Sequence, residues 1–560
     1  MESLQALIDD AITQHQAGDL DGAEALYREI LDADPGHADA NHLLGVIHHQ
    51  TGSSEKAVVR ITRALEANPK FTEAHFNLSE AFRALGRRDE AVESFLKTIA
   101  IDPQFVRAHN NLASTYLELG LLDKALASYR RAMKLSPGAL QIANNYLHAL
   151  LYDPALGNEE LFDTYRRIIA ARHPDDGASS PPTATPSPPD KKLRIGYLSS
   201  DFHDHPVGNN LLPLFANHDH AHVEIFCYAH ETNTDAVTAQ LQMGADHWLA
   251  ITGLDDEAIA AQILDDGIHI MVYLGGHFDK NRPSVATLRP APVQVSLFSG
   301  TTTALEDMDY WLTDAVLNPP PEKGGTTERF TEELFRLPVF YNYPKPDDAP
   351  PVSGLPAAKN GFITFASFNK PSKMNAAVLD LWSKVLGAVA DSRLMLKYKN
   401  DFTNPALRGR FMDHFQANGI APERIILVSA DDSFHDHLAE YARADIGLDT
   451  FPFAGATTTF QALWMGVPVI SLMTDRFIGR MGGALSSHVG LSDFAVDTPQ
   501  AYIAEAAALA ADLPRLDALR KTLRERVAAS PLYDGPGYAA SMERAFEAMW
   551  KAGEKSGGAS

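Results

Sequence analysis

The sequence predicts an α-helical repeat solenoid followed by an α/β region made of two parallel-sheet lobes. Three observations support this fold class. Four residue positions recur every 34 residues through residues 1–138. A stretch rich in proline and serine, residues 175–190, then interrupts the chain and predicts a linker. Beyond it, short apolar runs alternate with amphipathic segments, a pattern typical of parallel sheets covered by helices on both faces.

The repeat unit is marked by a glycine, an alanine, a large apolar residue and a proline. Glycine permits a tight turn between two helices, and alanine lets the two helices approach each other. The large side chain fills the gap between them, and proline ends the second helix. The pattern resembles the tetratricopeptide repeat, whose units stack into a solenoid. The positions in register are Gly18, Gly52, Gly86 and Gly120; Ala23, Ala57, Ala91 and Ala125; Tyr27, Ile61, Phe95 and Tyr129; and Pro35, Pro69, Pro103 and Pro137.

Asparagine keeps the same period at Asn77, Asn111 and Asn145. One interpretation is that these amides satisfy helix ends or backbone groups. The other is a ladder of amides along a concave groove, able to bind the backbone of an extended acceptor peptide. Residues 139–174 are predicted to form capping helices after the last repeat.

The region after the linker divides into two lobes with a helix at the end. The first lobe is predicted at residues 191–343 and the second at residues 359–535, joined by a proline-rich connection at 344–358. Residues 536–552 are predicted to be helical, and residues 553–560 to form a flexible tail. Ligands usually bind at the carboxyl ends of parallel strands, in the cleft between two such lobes.

Apolar runs bounded by turn residues locate the strands. The first lobe has predicted strands at 192–198, 223–228, 269–274, 293–297 and 310–313, and a predicted helix at 256–265. The second lobe has predicted strands at 362–365, 393–398, 425–428, 446–448 and 467–472.

Composition narrows the class of protein. With 45% hydrophobic and 21% charged residues among 560, the chain is predicted to be globular rather than disordered. Its 72 acidic and 48 basic residues give a net charge of −24, which argues against a nucleic-acid or anionic-membrane partner. The single cysteine, the lack of a signal-peptide pattern and the lack of an apolar run near ~18 residues favour a cytoplasmic location.

Several short stretches after the linker carry a shared pattern. They are residues 193–197, 200–202, 205–206, 288–294, 368–369, 373, 448–450, 457–458, 462–468, 530–532 and 549–550. In this order they resemble the O-GlcNAc transferase/SPINDLY family. The resemblance implies a GT-B glycosyltransferase fold with two Rossmann-like lobes, preceded by tetratricopeptide repeats. It also implies inverting, metal-independent transfer from a nucleotide sugar.

The resemblance implies where the sugar donor binds. Lys373 matches a lysine that contacts the donor phosphates and offsets the charge of the leaving group, and Lys370 adds a second positive charge. The turn at 455–459 opens a helix whose N–H groups and dipole favour phosphate. His437 matches a position beside the nucleotide base. Exposed lysines, an ordinary helix cap and a surface histidine are the plain alternatives. The other predicted donor-binding residues are Asn369, Asp449, Gly455, Thr457, Thr458 and Gln461.

His205 matches a family histidine on the sugar and acceptor side of the cleft. Because an imidazole can relay a hydroxyl proton at neutral pH, we predict a catalytic role for His205 and leave the general base undecided. His277 is predicted to line the same side and contact the acceptor. The alternative is a metal site at His203, Asp204 and His205. Residues 217–222 also carry metal-ligating side chains, although a solvated loop fits them better.

Four departures from the family pattern fall around the predicted cleft. Phe434 replaces a lysine near the nucleotide, Ala456 replaces a histidine before the threonine pair, and Gln461 replaces an aspartate that would hold ribose hydroxyls. The loop at 297–303 is one residue shorter than its counterpart. The donor therefore stays open between UDP-GlcNAc and another nucleotide sugar, such as a CMP-nonulosonic acid used on flagellin.

The sequence thus predicts an enzyme that transfers a sugar to Ser or Thr of a protein recruited by the repeats, with flagellin as one candidate acceptor. No cofactor or metal is expected beyond the nucleotide-sugar co-substrate. Two alternatives stay open: a repeat scaffold with a degenerate transferase domain, and an enzyme of carbohydrate synthesis without a protein acceptor.

Overall fold

The fold is taken from a computed structural model that describes residues 4–172, 192–230, 233–429 and 433–557. The predicted linker at 175–190 lies outside the described residues. The chain forms two compact units. The first comprises Met1–Ile142 and Lys399–Phe411, and the second comprises Ala143–Tyr398 and Met412–Ser560.

Helices α1–α8 pack in consecutive pairs within the first unit, which confirms the predicted helical repeats. The four repeated glycines end the turn inside each pair with φ between 68° and 84°, a left-handed conformation that glycine adopts without strain. All four repeated alanines are completely buried. The helices are α1 (Leu4–Gln16), α2 (Leu20–Ala33), α3 (Ala38–Gln50), α4 (Ser54–Ala67), α5 (Thr72–Ala84), α6 (Arg88–Ile101), α7 (Val106–Glu118) and α8 (Leu122–Leu135).

A segment from far along the chain, Lys399–Phe411, belongs to this first unit. Arg88 Nη2 lies 2.9 Å from Asp401 Oδ1, and Arg410 Nη1 donates to the carbonyl of Gly120 at 3.0 Å. The Arg88–Asp401 ion pair is mostly buried, so its two charges depend on each other. The first unit therefore contains, besides the solenoid predicted at 1–138, a segment from much later in the chain.

The second unit holds two sheets in which every strand pair is parallel. The first sheet has the order β3-β2-β1-β4-β5-β6-β7, and the second has the order β10-β9-β8-β11-β12-β13. The strands are β1 (Leu193–Ser199), β2 (Val223–Ala229), β3 (His247–Ala250), β4 (Ile270–Leu274), β5 (Val293–Leu297), β6 (Tyr310–Asp314), β7 (Glu333–Leu337), β8 (Thr364–Ser367), β9 (Arg393–Lys397), β10 (Ile425–Val428), β11 (Ile446–Leu448), β12 (Val469–Leu472) and β13 (Ala495–Val496).

Fourteen further helices are described, of which α9 and α10 are the predicted capping helices. With the repeats and the two parallel sheets, they confirm the predicted fold class. They are α9 (Leu140–Leu150), α10 (Asn158–Ala170), α11 (Pro206–Phe215), α12 (Ala236–Met243), α13 (Asp256–Asp265), α14 (Pro356–Asn360), α15 (Ala376–Ala388), α16 (Pro405–Ala417), α17 (Phe434–Ala439), α18 (Thr457–Trp464), α19 (Met481–His488), α20 (Pro499–Ala511), α21 (Leu513–Ala528) and α22 (Gly535–Gly557).

Two details differ from the sequence prediction. Strands β3, β7 and β13 were not predicted, and each lies at the edge of its sheet. β3 and β7 mix apolar and polar residues, and β13 has only two residues, so none of the three forms a continuous apolar run long enough to mark a strand. Helix α22 runs to Gly557 and takes in the start of the predicted tail. None of the described helices has the length and apolar character needed to cross a membrane.

Candidate active site

The predicted site residues of the second unit lie after the carboxyl ends of central strands, where parallel sheets usually bind ligands. Lys373 follows β8, and Asp449 follows β11. His205 follows β1, and the loop with Asp279 follows β4. Burial and Asp201 raise the pKa of the Asp279 carboxyl in the first lobe, and the Lys370 ammonium of the second lobe lies near enough to offset part of this rise.

Lys373 is held by the loop before α18. Its ammonium donates to the carbonyl of Ala454 at 2.7 Å and lies 4.1 Å from the centre of the Phe453 ring. Burial lowers the pKa of Lys373 to about 8, an effect that Lys370 increases and the Asp449 carboxylate opposes. The alternative of an ordinary exposed lysine is therefore wrong.

Asp449 and the Gly455 N–H are bonded to each other inside the protein. The Asp449 side chain accepts hydrogen bonds from the N–H of Gly455 at 2.7 Å, from the N–H of Thr450 at 2.8 Å and from the Ser471 hydroxyl at 2.8 Å. Asp449 is also 1% exposed. In this structure the carboxylate and the Gly455 N–H hold the loop together, and direct donor binding by these two residues stays a prediction.

The start of α18 is a suitable place for an anion. No side chain among the described residues caps this helix, whose N-cap position is Ala456. Thr457 and Thr458 in its first turn are half-buried, and Thr458 donates to Asn369 Oδ1 at 3.0 Å. Uncapped N–H groups at a helix start favour phosphate groups. Because alanine has no polar side-chain atom, Ala456 leaves the first N–H groups of α18 without a side-chain cap.

His437 lies between two polar partners. Lys397 Nζ is 3.1 Å from His437 Nδ1, and Gln461 Oε1 is 3.0 Å from Nε2. An ammonium group can only donate, so Nδ1 accepts and the ring proton resides on Nε2, which donates to Gln461. Burial lowers the pKa of His437, and the Lys397 charge adds to this effect. The imidazole is thus neutral with one defined tautomer.

Phe434 extends this pocket toward solvent. Its side chain is 52% exposed, and its ring lies at 23° to the His437 ring with centroids 6.4 Å apart. An exposed aromatic ring beside a neutral imidazole offers two nearly parallel flat faces. Such faces are suited to stacking against a planar base.

We predict that Lys397→Met raises the pKa of His437. The substitution removes a positive charge from the Nδ1 side and leaves the burial of the ring nearly unchanged. Histidine-selective NMR titration measures this pKa, with His437→Gln used to assign the signal. Lys384→Met, an exposed lysine on α15, is the matched control. An unchanged pKa in Lys397→Met would contradict the assigned tautomer.

His205 occupies the N-cap position of α11. Its Nδ1 accepts a hydrogen bond from the backbone N–H of Val207 at 3.3 Å. The neutral ring therefore carries its proton on Nε2, which lies 3.8 Å from Asp279 Oδ2. In this tautomer His205 can donate a proton toward Asp279 but has no free nitrogen to accept one from a substrate.

Asp201 lies near His205, with Oδ2 3.8 Å from the imidazole Nδ1. Asp201 is 2% exposed, and its carboxylate accepts from Ser200 Oγ at 2.9 Å and from Asn281 Nδ2 at 2.7 Å. Within the described ranges, the only grouping of potential metal-ligand atoms is Asp201, His205 and Asp279, which lie within 4.8 Å of one another. A metal ion at this place would therefore contact these three side chains, and His203 and Asp204 of the predicted metal site are not in the group.

His277 supports the short loop at 297–303. It is 8% exposed, and its Nε2 donates to the carbonyl of Thr303 at 2.7 Å. Glu332 secures the same loop by accepting from the Thr302 hydroxyl at 2.6 Å and from the Thr303 N–H at 2.6 Å. The geometry explains His277 as a loop-supporting residue, so its contact with an acceptor stays a prediction without structural support.

The repeated asparagines bridge neighbouring side chains in the first unit. Asn77 Nδ2 lies 2.8 Å from His42 Nε2, and Asn111 Nδ2 donates to Glu80 Oε1 at 3.0 Å. Both asparagines are half-buried, as is Asn145 in α9 of the second unit. Asn111 Oδ1 also accepts from Asn110 Nδ2 of the same helix at 2.9 Å. These contacts of Asn77 and Asn111 are with side chains, so they do not favour the helix-end interpretation.

The histidine-rich loop at 217–222 is only partly solvated. His218 is 7% exposed and bridges Glu543, at 2.8 Å, and the Tyr197 hydroxyl, at 3.1 Å. His220 and His222 are exposed and each pairs with one aspartate. The loop therefore fastens α22 to the first sheet.

Comparison with known proteins decides the family. The glycosyl transferase family 41 profile matches residues 180–341 and 353–542, which is more than half of the chain. The chain belongs to glycosyl transferase family 41. Tetratricopeptide repeat profiles match residues 14–78, 55–104 and 80–139. The predicted family and the predicted repeats are both confirmed.

The relatives in family 41 differ in how much of their length they share. The probable UDP-N-acetylglucosamine–peptide N-acetylglucosaminyltransferase SPINDLY of Petunia hybrida is 37% identical over 65% of this chain and 39% of that protein. The Arabidopsis thaliana SPINDLY is 36% identical over 65% of this chain and 40% of that protein. The chain thus spans about two fifths of the length of these curated relatives. A mutant of Thermobaculum terrenum O-GlcNAc transferase superposes with a TM-score of 0.77 and 30% identity, over 99% of this chain and 98% of that one.

Sequence reasoning missed several residues of this family 41 cleft. His148 and Tyr152, after the repeats, pack against Phe453, with the Tyr152 and Phe453 ring centroids 4.9 Å apart. Burial, with Lys370 and Lys373, lowers the pKa of His148 to about 3. Lys397 and Asp279 were also missed. A polar residue at the carboxyl end of a buried apolar strand was the signal for Lys397, and the same rule pointed to the loop after β4.

Proposed function

We propose that this chain is an inverting protein O-glycosyltransferase that moves a sugar from a nucleotide donor to Ser or Thr hydroxyls of a protein. The observation that carries the proposal is the Lys373 ammonium, which donates to the carbonyl of Ala454, two residues before Ala456 at the N-cap of α18. A buried cation and a helix N-terminus together suit a diphosphate. The family 41 profile across both lobes supports the same reaction class.

Different residues along the cleft bind the phosphate, the base and the acceptor. Lys373 and the N–H groups of α18 stabilise the negative charge on the leaving phosphate. His437 and Phe434 hold the base of the nucleotide between flat faces, and Gln461 contributes its amide N–H groups, because His437 occupies its carbonyl. The acceptor hydroxyl approaches from the lobe that carries His205.

We propose a UDP-GlcNAc-type donor by family relation, with a CMP-nonulosonic acid as the alternative. The departures at Phe434 and Gln461 lie at the nucleoside end of the pocket, so they bear on which nucleotide binds rather than on whether phosphate binds. The test is a thermal-shift panel of UDP-GlcNAc, GDP-sugars and CMP-sugars, followed by intact-mass measurement of proteins and peptides incubated with each donor that binds. Donor binding with no transfer to any acceptor would favour the degenerate scaffold.

We propose that the repeats recruit the protein acceptor through the asparagine series. The double substitution Asn77→Ala and Asn111→Ala is expected to raise KM for a protein acceptor by roughly 30-fold, since each amide contributes on the order of 1 kcal/mol when it binds a peptide backbone. Donor affinity is expected to stay unchanged. Gln104→Ala, an exposed amide between α6 and α7, is the control. An unchanged KM would exclude these two amides from acceptor binding.

A further inference from the structure

Asp279 stands out among the carboxylates of the cleft because it is accessible. It lies in the loop after β4 with φ of 52°, a left-handed conformation that aspartate tolerates better than most residues. Its side chain is 61% exposed, whereas that of Asp201 is 3% exposed. Of the two, only Asp279 has room for a substrate atom beside it.

The other carboxylates near the site are already used. Asp201 accepts hydrogen bonds from Ser200 and Asn281. Asp449 accepts from two backbone N–H groups and Ser471. Both carboxylates are also almost completely buried, at 2% exposure for Asp201 and 1% for Asp449, so an incoming hydroxyl cannot reach their oxygens.

His205 is positioned to orient Asp279 rather than to act as the base itself. Its Nδ1 accepts from the N–H of Val207, which places the ring proton on Nε2. Nε2 lies 3.8 Å from Asp279 Oδ2, which is longer than a hydrogen bond and close enough for an electrostatic interaction. A histidine with this tautomer can help hold a carboxylate in place, and it can stabilise the negative form of that carboxylate.

The charges around Asp279 come from several elements. Partial desolvation in the cleft and the Asp201 carboxylate raise the pKa of Asp279, although its side chain stays 61% exposed, whereas His205, Lys370 and His203 act to lower it. Tyr152, in the segment after α9, faces the same carboxylate, which contributes to raising the pKa of its phenol. Asp279 therefore lies close to Lys370 of the second lobe, to Asp201 and His205 after the first sheet's β1, and to Tyr152 after α9.

We propose that Asp279 is the general base that deprotonates the acceptor hydroxyl, an inference that rests on the proposed transferase function. As the Ser or Thr oxygen forms its bond to the anomeric carbon, the hydroxyl proton passes to an Asp279 carboxylate oxygen. The bond from the anomeric carbon to the phosphate oxygen breaks at the same time. The nucleotide leaves with that electron pair, and Lys373 with the start of α18 stabilises its charge.

The test is Asp279→Asn, assayed with the full chain and a donor and acceptor on which the wild type is active. The substitution keeps the shape of the side chain and removes its basicity. We expect kcat to fall by roughly 100-fold to 1,000-fold, with donor Kd within about 2-fold of the wild type. The low-pH limb of the kcat profile is expected to disappear in the variant. Glu322→Gln, an exposed carboxylate of the same lobe, is the control.

Each outcome bears on a different claim. A variant that keeps kcat within about 3-fold, or keeps the same low-pH limb, overturns Asp279 as the base while transfer by the wild type still supports the proposed function. Partial recovery in Asp279→Glu supports the base, because a carboxylate is restored at a shifted position. A wild type that binds donors but transfers to no acceptor overturns both the function and the base.

Discussion

Replacing Lys373 with methionine is expected to lower the rate of transfer by roughly 1,000-fold, since the variant loses the cation nearest to the leaving phosphate. Methionine retains most of the length and apolar contact of the lysine stem, so the Phe453 contact persists in part. The variant is expected to stay folded. The rate is measured by intact-mass analysis of the acceptor at saturating donor, and the fold by circular dichroism.

The pH dependence gives a second readout for the same residue. The pKa of Lys373 is about 8 in the folded protein, below its ordinary value of 10.5. Donor affinity of the wild type is therefore expected to fall as pH rises through about 8, because the ammonium deprotonates. Linkage has the opposite sign for stability: the unfolded chain holds the proton more tightly, so this group destabilises the fold below pH 8 and less so as pH rises toward 10.5.

Lys373→Met is accordingly expected to be more heat-stable than the wild type at neutral pH, with the difference shrinking toward pH 10.5. Lys359→Met, an exposed lysine on α14, controls for the loss of a surface charge. Transfer within about 10-fold of the wild type would show that Lys373 is not the main phosphate contact.

The repeats could be predicted because the same residue types recur at a fixed spacing in every unit. The 34-residue period places each glycine at a turn, each alanine between helices and each proline after a helix, and the structure follows it at every one of these positions. The docking of Lys399–Phe411 on the repeats was not predictable. Its contacts, such as Arg88 with Asp401, join residues more than 300 apart, and no local pattern encodes such a pairing.

The apolar runs of the sequence predict the strand ends at which the candidate residues lie, but they do not predict the contacts of each side chain. Strand order places Lys373 and Thr458 at such ends, and their binding of the donor rests on the family resemblance and stays a prediction. Asp449 was predicted to touch the donor, yet the structure uses it internally, because a buried carboxylate next to free backbone N–H groups is satisfied by them first. Lys397 was missed since its role arises from His437, which is 40 residues further along the chain.

The second large effect on stability and transfer is expected at Asp449. Two substitutions of this residue, to alanine and to asparagine, separate its role in loop structure from its negative charge. Asp449→Ala leaves the N–H groups of Thr450 and Gly455 without their acceptor inside the protein. The loss of stability is expected to be roughly 3–5 kcal/mol, measured by urea denaturation. Transfer is expected to fall roughly 100-fold, because the loop that presents the Ala454 carbonyl to Lys373 is no longer fixed.

Asp449→Asn is expected to behave differently from the alanine variant. Its amide oxygen can accept from both backbone N–H groups, and its amide nitrogen can donate to the Ser471 hydroxyl, so the loop keeps its shape. What is lost is the negative charge that raises the pKa of Lys373. The donor-affinity profile of Asp449→Asn is therefore expected to shift to lower pH, while the rate at lower pH approaches that of the wild type. If Asp449→Asn instead matched Asp449→Ala in stability and rate at every pH, the carboxylate charge itself, rather than the loop geometry, would hold this part of the cleft together.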